Sequence, residues 1–112
     1  MKFLCLAYPG RGFSPGPDLV AEYAAHGEVM RAAGVFVDSG QLSPGDASAV
    51  VQVTDRQADV GHGPPPGSGP QPSAYFAIDC PDLRAALGWA ARIPAASYGT
   101  AEVRPPRQSP AR

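Results

Sequence analysis

Apolar positions recur along the chain in two rhythms, one of short continuous runs and one at helical spacing. The run Phe3-Leu4-Cys5-Leu6-Ala7 is apolar on both alternating faces, and Pro9 and Gly10 end it, which predicts a strand. Turn formers fill the next positions to Pro17. From Asp18, the residues Leu19, Tyr23, Met30 and Ala33 repeat as one side of a helix over about 18–33, with Asp18 as its cap and Gly34 as its stop. Val35-Phe36-Val37, ended by Asp38-Ser39-Gly40, and Ala49-Val50-Val51-Gln52-Val53 read as strands. Asp55-Arg56 turns the second of these into a weaker strand, Gln57-Ala58-Asp59-Val60. Ala74-Tyr75-Phe76-Ala77-Ile78 is a further strand, Pro81 opens a helix to about Arg92, Pro94 stops it, and Thr100-Ala101-Glu102-Val103-Arg104 closes the pattern.

The order strand, helix, strand, hairpin segment, strand, helix, strand is that of a βαββαβ ferredoxin-like antiparallel sheet with two helices on one face. One α+β domain over 1–104 is expected, with a Pro/Gly-rich loop at 61–73 inside it. The segment 105–112 has nothing apolar to anchor it and is expected to be a disordered tail. Two helices cover one face of a sheet. The strands 3–8, 35–37 and 74–78 are apolar on both faces, so a homodimer that packs sheet against sheet is expected to cover the other.

At 112 residues with 44% apolar content, the chain has material for one core and not for two sizeable ones. Its net charge of -1 supplies no strong field for nucleic acid or for an anionic membrane, and neither is expected as a partner. Pro9 cuts the first apolar run short of a signal-peptide core, and no stretch reaches the ~18 apolar residues of a membrane span. A cytoplasmic location is the simplest expectation. The 13 glycines and 14 prolines concentrate in one place, with nine of them between positions 61 and 73.

Candidate chemistry is sparse. Gly10-Arg11-Gly12-Phe13-Ser14-Pro15-Gly16, with Asp38 after the next strand, has the outline of a dinucleotide fingerprint. Pro15 and Pro17 remove backbone donors from the turn that would hold a pyrophosphate, so no cofactor is expected. Ser68 between two glycines imitates a nucleophile elbow, but a strand follows it where that turn requires a helix. Cys5, Cys80, His26 and His62 have metal-ligand chemistry without metal-ligand spacing, and the two cysteines read as buried thiols. His26 falls beside the Tyr23–Met30 stripe, as a general base or a hydrogen-bonded core residue, the latter favoured. Trp89 and Ile93 are four apart on one helix and read as core contacts. Pro64-Pro65-Pro66 is a stiff spacer or a ligand for an aromatic groove.

The second half, with Tyr75-Phe76-Ala77-Ile78-Asp79, Asp82-Leu83, Ala86-Leu87, Trp89-Ala90-Ala91-Arg92-Ile93-Pro94-Ala95 and Glu102-Val103-Arg104-Pro105, resembles the YCII-related family, in the bacterial branch named after a DGPF motif. Met1-Lys2-Phe3-Leu4, Arg31-Ala32-Ala33-Gly34-Val35 and Gly40-Gln41-Leu42 extend the resemblance over nearly the whole chain. The resemblance implies a ferredoxin-like protein that pairs into a dimeric α/β barrel, and a few members act on muconolactone-type compounds. It also exposes departures. His62-Gly63-Pro64-Pro65 stands where the family has Asp-Gly-Pro-Phe, and Gly67, Ser68, Gly69 and Pro70 stand where acidic and lysine residues follow. The positions of a His–Asp pair in one branch correspond to Tyr23 and Ile93, and Ile93 can neither orient nor charge a base.

The expectation that results is a non-catalytic or vestigial domain that binds a small molecule or a protein partner in a cleft between the first helix and the long loop. Its contact candidates are Tyr23, His26, His62, Gly63 and Pro64. The alternatives are a small lyase, isomerase or hydrolase using His26 or His62, with Tyr23 as a further candidate, and an interaction module whose Pro-rich loop and tail are the ligand.

Overall fold

The computed structural model describes residues 1–12 and 16–107. The chain runs β1 (Lys2–Pro9), α1 (Leu19–Ala32), β2 (Phe36–Gln41), a single 3₁₀ turn (Gly45–Ala47), β3 (Ala49–Thr54), β4 (Gln57–His62), β5 (Ala74–Asp79), α2 (Leu83–Ala90), α3 (Ala95–Tyr98) and β6 (Gly99–Arg104). Four strands form one antiparallel sheet in the order β2-β5-β1-β6, and β3 and β4 form a separate two-stranded ribbon. The architecture is therefore mixed α+β.

β1 lies at the centre because it pairs on both sides, Leu6 opposite Tyr75 of β5 and also opposite Glu102 of β6. Its alternation sends Phe3, Cys5 and Ala7 into the core with Ala74, Phe76 and Ile78 of β5. α1 adds Tyr23 and Met30 to that face, and the α2–α3 region adds Ala86, Ala90, Ile93 and Ala95. Three of those last four are alanines, so the second helical layer can lie close to the sheet. Both cysteines are buried and unpaired, and burial, then Cys80, pushes the Cys5 thiol up to about 11.

The other face of the sheet carries Leu4, Leu6 and Tyr8 of β1 with Tyr75 and Ala77 of β5, and none of the described helices packs on it. Its rim is polar. The Tyr75 hydroxyl donates to Asp38 at 2.9 Å, the Tyr8 hydroxyl donates to Glu102 at 2.9 Å, and Arg104 donates to the other oxygen of Glu102 at 2.9 Å.

Several boundaries differ from the sequence expectation. The Asp18 side chain makes no cap hydrogen bond, whereas the C-terminal stop at Gly34 forms as expected. Gly34 adopts φ 77°, its N–H donates to Arg31 O, and the Val35 N–H reaches back to Met30 O, which closes a Schellman motif. Asp82 caps the second helix by accepting from the Ala85 N–H at 2.9 Å, so that helix starts after Pro81 rather than at it. Pro94 ends the turn beyond α2 and also opens α3, which periodicity missed because four residues are too few to show a repeat. β4 continues through Gly61 and His62, paired with Val50 and Ala49, so the Pro/Gly loop begins at Gly63 and not at Gly61. Residues 105–107 have no regular structure, and the rest of the expected tail, 108–112, lies outside the described residues.

Candidate functional site

Three chain segments meet beside the N-terminal turn of α1. Ser73 ties two of them together: its N–H donates to Ala7 O of β1 at 2.7 Å, and its carbonyl accepts from the Leu42 N–H at 2.8 Å, just beyond β2. The loop before Ser73 is itself shaped by hydrogen bonds. The Gln71 amide donates to Ser68 Oγ at 2.8 Å and to Gly69 O at 2.9 Å, while Gly67 and Gly69 take positive φ. Gly45 fits against Gln71, since a Cβ there would stand 2.9 Å from Gln71 Cγ.

These segments enclose a cleft of about 680 Å³. Its apolar wall comes from Pro9, Pro17, Leu19, Val20, Leu42 and Pro44, and its polar groups come from Tyr23, Gln41, Ser43, Gln71 and Ser73. No Asp, Glu, Lys, Arg or His is among the described residues lining it. Phe13, Ser14 and Pro15, which precede α1, lie outside the described residues.

Tyr23 is the one expected candidate that reaches this cleft. Its ring stacks on Phe76 at 5.9 Å between centroids, and its hydroxyl shares a 3.1 Å hydrogen bond with the Tyr98 hydroxyl. Burial above all, then that hydrogen bond, push the Tyr23 phenol far above its ordinary range. The group is therefore a neutral hydrogen-bonding hydroxyl, poorly suited to act as a base near neutral pH.

His26 lies one turn along α1 and points elsewhere. It is 8% exposed, meets Phe76 edge-on at 5.1 Å, and tilts against Trp89 at 6.4 Å. Its Nε2 has no hydrogen-bond partner among the described residues, so the expectation of a hydrogen-bonded core histidine holds in burial but not in bonding at that atom there. Burial first, then Arg92, lowers its pKa. Arg92 itself stacks over Trp89 at 4.8 Å.

His62 ends β4 on the ribbon and is exposed, and neither it, Gly63 nor Pro64 lines the cleft. Ile93 is buried in the core, where it has no acid–base chemistry to offer. Among the described residues no three His, Cys, Asp or Glu side chains gather into a set that could hold a metal ion. The sequence reading missed Gln41, Ser43, Gln71 and Ser73 because each is an ordinary polar residue in a turn or at a strand end. The signal available for Ser73 was its position, as the last residue before an apolar strand and so the natural anchor of the loop.

Comparison with known proteins adds no assignment: a scan of protein-family models finds no match to the chain, and a search of curated proteins finds no similar one. None of the described helices is long and apolar enough to cross a membrane.

Proposed function

We propose that this chain is a YCII-related domain of the DGPF type that has lost acid–base chemistry and binds a small, uncharged molecule in the cleft beside α1. The observation that carries the reading is the cleft's lining, an apolar wall with five neutral polar side chains and no ionised group among the described residues. A charged ligand would leave water there without an opposite charge to meet it. A neutral ligand with an apolar body and one or two hydrogen-bonding groups matches the wall and the hydroxyls and amides in it.

The family reading draws support from the strand order. β1, β2, β5 and β6 follow one another as in a ferredoxin-like βαββαβ sheet, with the β3–β4 ribbon inserted before its third strand. In this reading two copies pair through the helix-free face that carries Leu4, Leu6, Tyr75 and Ala77, and His62 marks where the family's acidic motif has been replaced. A reaction routed through His26 or His62 would run outside the cleft, since neither histidine lines it.

The test is a ¹H–¹⁵N titration of the chain with matched neutral and anionic aromatic and lactone fragments. Shifts are expected for the neutral members, concentrated at residues 19–23 and 71–73, and weakened by Tyr23→Phe. Turnover of a lactone that disappears with His26→Gln or His62→Gln would replace this reading with the enzymatic one.

A further inference from the structure

The β3–β4 ribbon has one face that is apolar apart from His62 at its base. Residues opposite each other in an antiparallel ladder project to the same side, so Val51 and Val60, Val53 and Ala58, and Ala49 and His62 share that face. Gln52, Asp59, Thr54 and Gln57 fall on the other. Val51, Val53 and Val60 are 65%, 66% and 71% exposed, although valine is among the residues most often buried. Val50 and Gly61 also lie on that second face, and Pro65 and Pro66 bound a groove of about 420 Å³ with Val50, Gln52, Asp59 and Gly61 as well as Val51 and Val60, so they do not cover the three exposed valines. The ribbon makes no extensive contact with the helices or the four-stranded sheet.

A two-stranded ribbon is at best marginally stable alone, so one that presents an apolar face needs a cover. The molecule as a whole is flat, with extents of 48 × 47 × 19 Å and a radius of gyration of 16.1 Å. A compact chain of this length would have a radius of about 13 Å. We propose that the ribbon is an arm that closes on a second copy of this chain, seating Val51, Val53 and Val60 against the helix-free face of that copy's sheet around its Leu4 and Leu6. This rests on the dimer reading above and adds the element that holds it.

Area and charge single out a second copy as the occupant. A stable interface buries at least about 1,200 Å² in total, whereas the largest apolar patch of a monomer covers a few hundred. A two-fold pair uses both faces twice. Charges of both signs rim each surface, Asp55 and Arg56 at the ribbon tip and Asp38, Glu102 and Arg104 around the sheet face. Opposite charges can therefore meet across the contact, and no excess of one sign favours nucleic acid or anionic lipid.

Light scattering on the full chain at tens of micromolar, beside a Val51→Thr/Val53→Thr/Val60→Thr variant and a Leu4→Gln variant, tests this. The substituted valines are exposed in the single chain, so the circular dichroism of the sheet should be retained. A dimeric mass is expected for the unaltered chain, with dissociation at least tenfold easier in both variants. A monomeric mass for the unaltered chain would overturn the arm and the dimer together. A dimer that tolerates the three threonines overturns the arm and leaves the sheet-to-sheet pairing standing, and one that tolerates only Leu4→Gln overturns the seating. Should the triple variant fail to fold, amide exchange in the unaltered chain decides: protection of β3 and β4 that does not rise with protein concentration overturns the proposal.

Discussion

At the scale of single residues, three side chains and one glycine carry most of what can be measured. The hydrogen bond between Tyr23 and Tyr98 spans 75 positions and joins α1 to the segment before β6. Tyr23→Phe removes one partner and is expected to cost about 1 kcal/mol of stability by urea unfolding. His26 makes a pH prediction whose sign is fixed by its environment. Unfolded, the imidazole titrates near its ordinary 6.5; folded, burial and Arg92 lower that value. The unfolded chain then binds more protons as the solution is acidified, so this contribution to stability is complete above pH ~6.5 and falls as the pH drops from there through the lower folded value. Urea midpoints from pH 8 to 5 should show the fall, and His26→Leu should remove that portion of it. Gly99 is required for a different reason, because a Cβ there would collide with the backbone carbonyl oxygen of Tyr8 where β6 begins beside the end of β1. Gly99→Ala is expected to cost about 3 kcal/mol or to shift the β6 register, read from the same unfolding curves. None of this was visible in sequence: Tyr23 was singled out by helical position and by its match to the family's His position, His26 by helical position, and the close approach at Gly99 depends on two strands that are 90 residues apart in the chain.

At the scale of elements, legibility followed the physics of each segment. β1, β5 and α1 were readable because burial against the core imposes a pattern that local sequence must obey, and Gly34 was readable as a stop because a Schellman turn needs φ > 0. β2 was read only to Val37, since Asp38, Ser39 and Gly40 look like a turn. They stay in the sheet as an edge strand beside β5, with a register shift between Phe36 and Asp38. The ribbon turn was located correctly at Asp55-Arg56, and its cost is now visible. Both residues have positive φ, 51° and 69°, as a two-residue type I′ turn demands, yet neither is glycine. Arginine in that conformation costs roughly 1–2 kcal/mol. Arg56→Gly should therefore strengthen the ribbon by about 1 kcal/mol, measured as slower amide exchange at Gln52 and Asp59, a bonded pair of the ladder, with no change at Cys5 or Phe76. Equal slowing at all four sites would mean that the ribbon does not open separately from the sheet.

At the scale of the whole molecule, the cleft and the uncovered faces arise from one cause, the insertion of ribbon and loop between β2 and β5. The returning loop must reach β5 past the N-terminal turn of α1, and where Ser73 is pinned to Ala7 and Leu42 it closes one side of the cleft. The same insertion carries the ribbon away from the core and leaves its valines outside. Sequence reasoning expected a cleft between the first helix and the loop, but the polar lining comes from strand ends and turns that no periodicity marks. The uncovered faces lead to a thermodynamic expectation that is independent of any variant. Trp89 sits in the helical layer, against His26 and Arg92, on the opposite side of the sheet from Leu4 and Leu6. Its fluorescence therefore reports unfolding of the core and does not sense the proposed contact directly. If the folded chain is held as a pair, mass action links the two, and the unfolding free energy of the pair should rise by about 1.4 kcal/mol for each tenfold increase in protein concentration. A urea midpoint followed by Trp89 should then move upward from 1 to 100 µM chain. A midpoint that stays fixed over that range would mean that each chain is stable with both apolar faces in water, and the domain would have to be treated as a monomer with an unpaired arm.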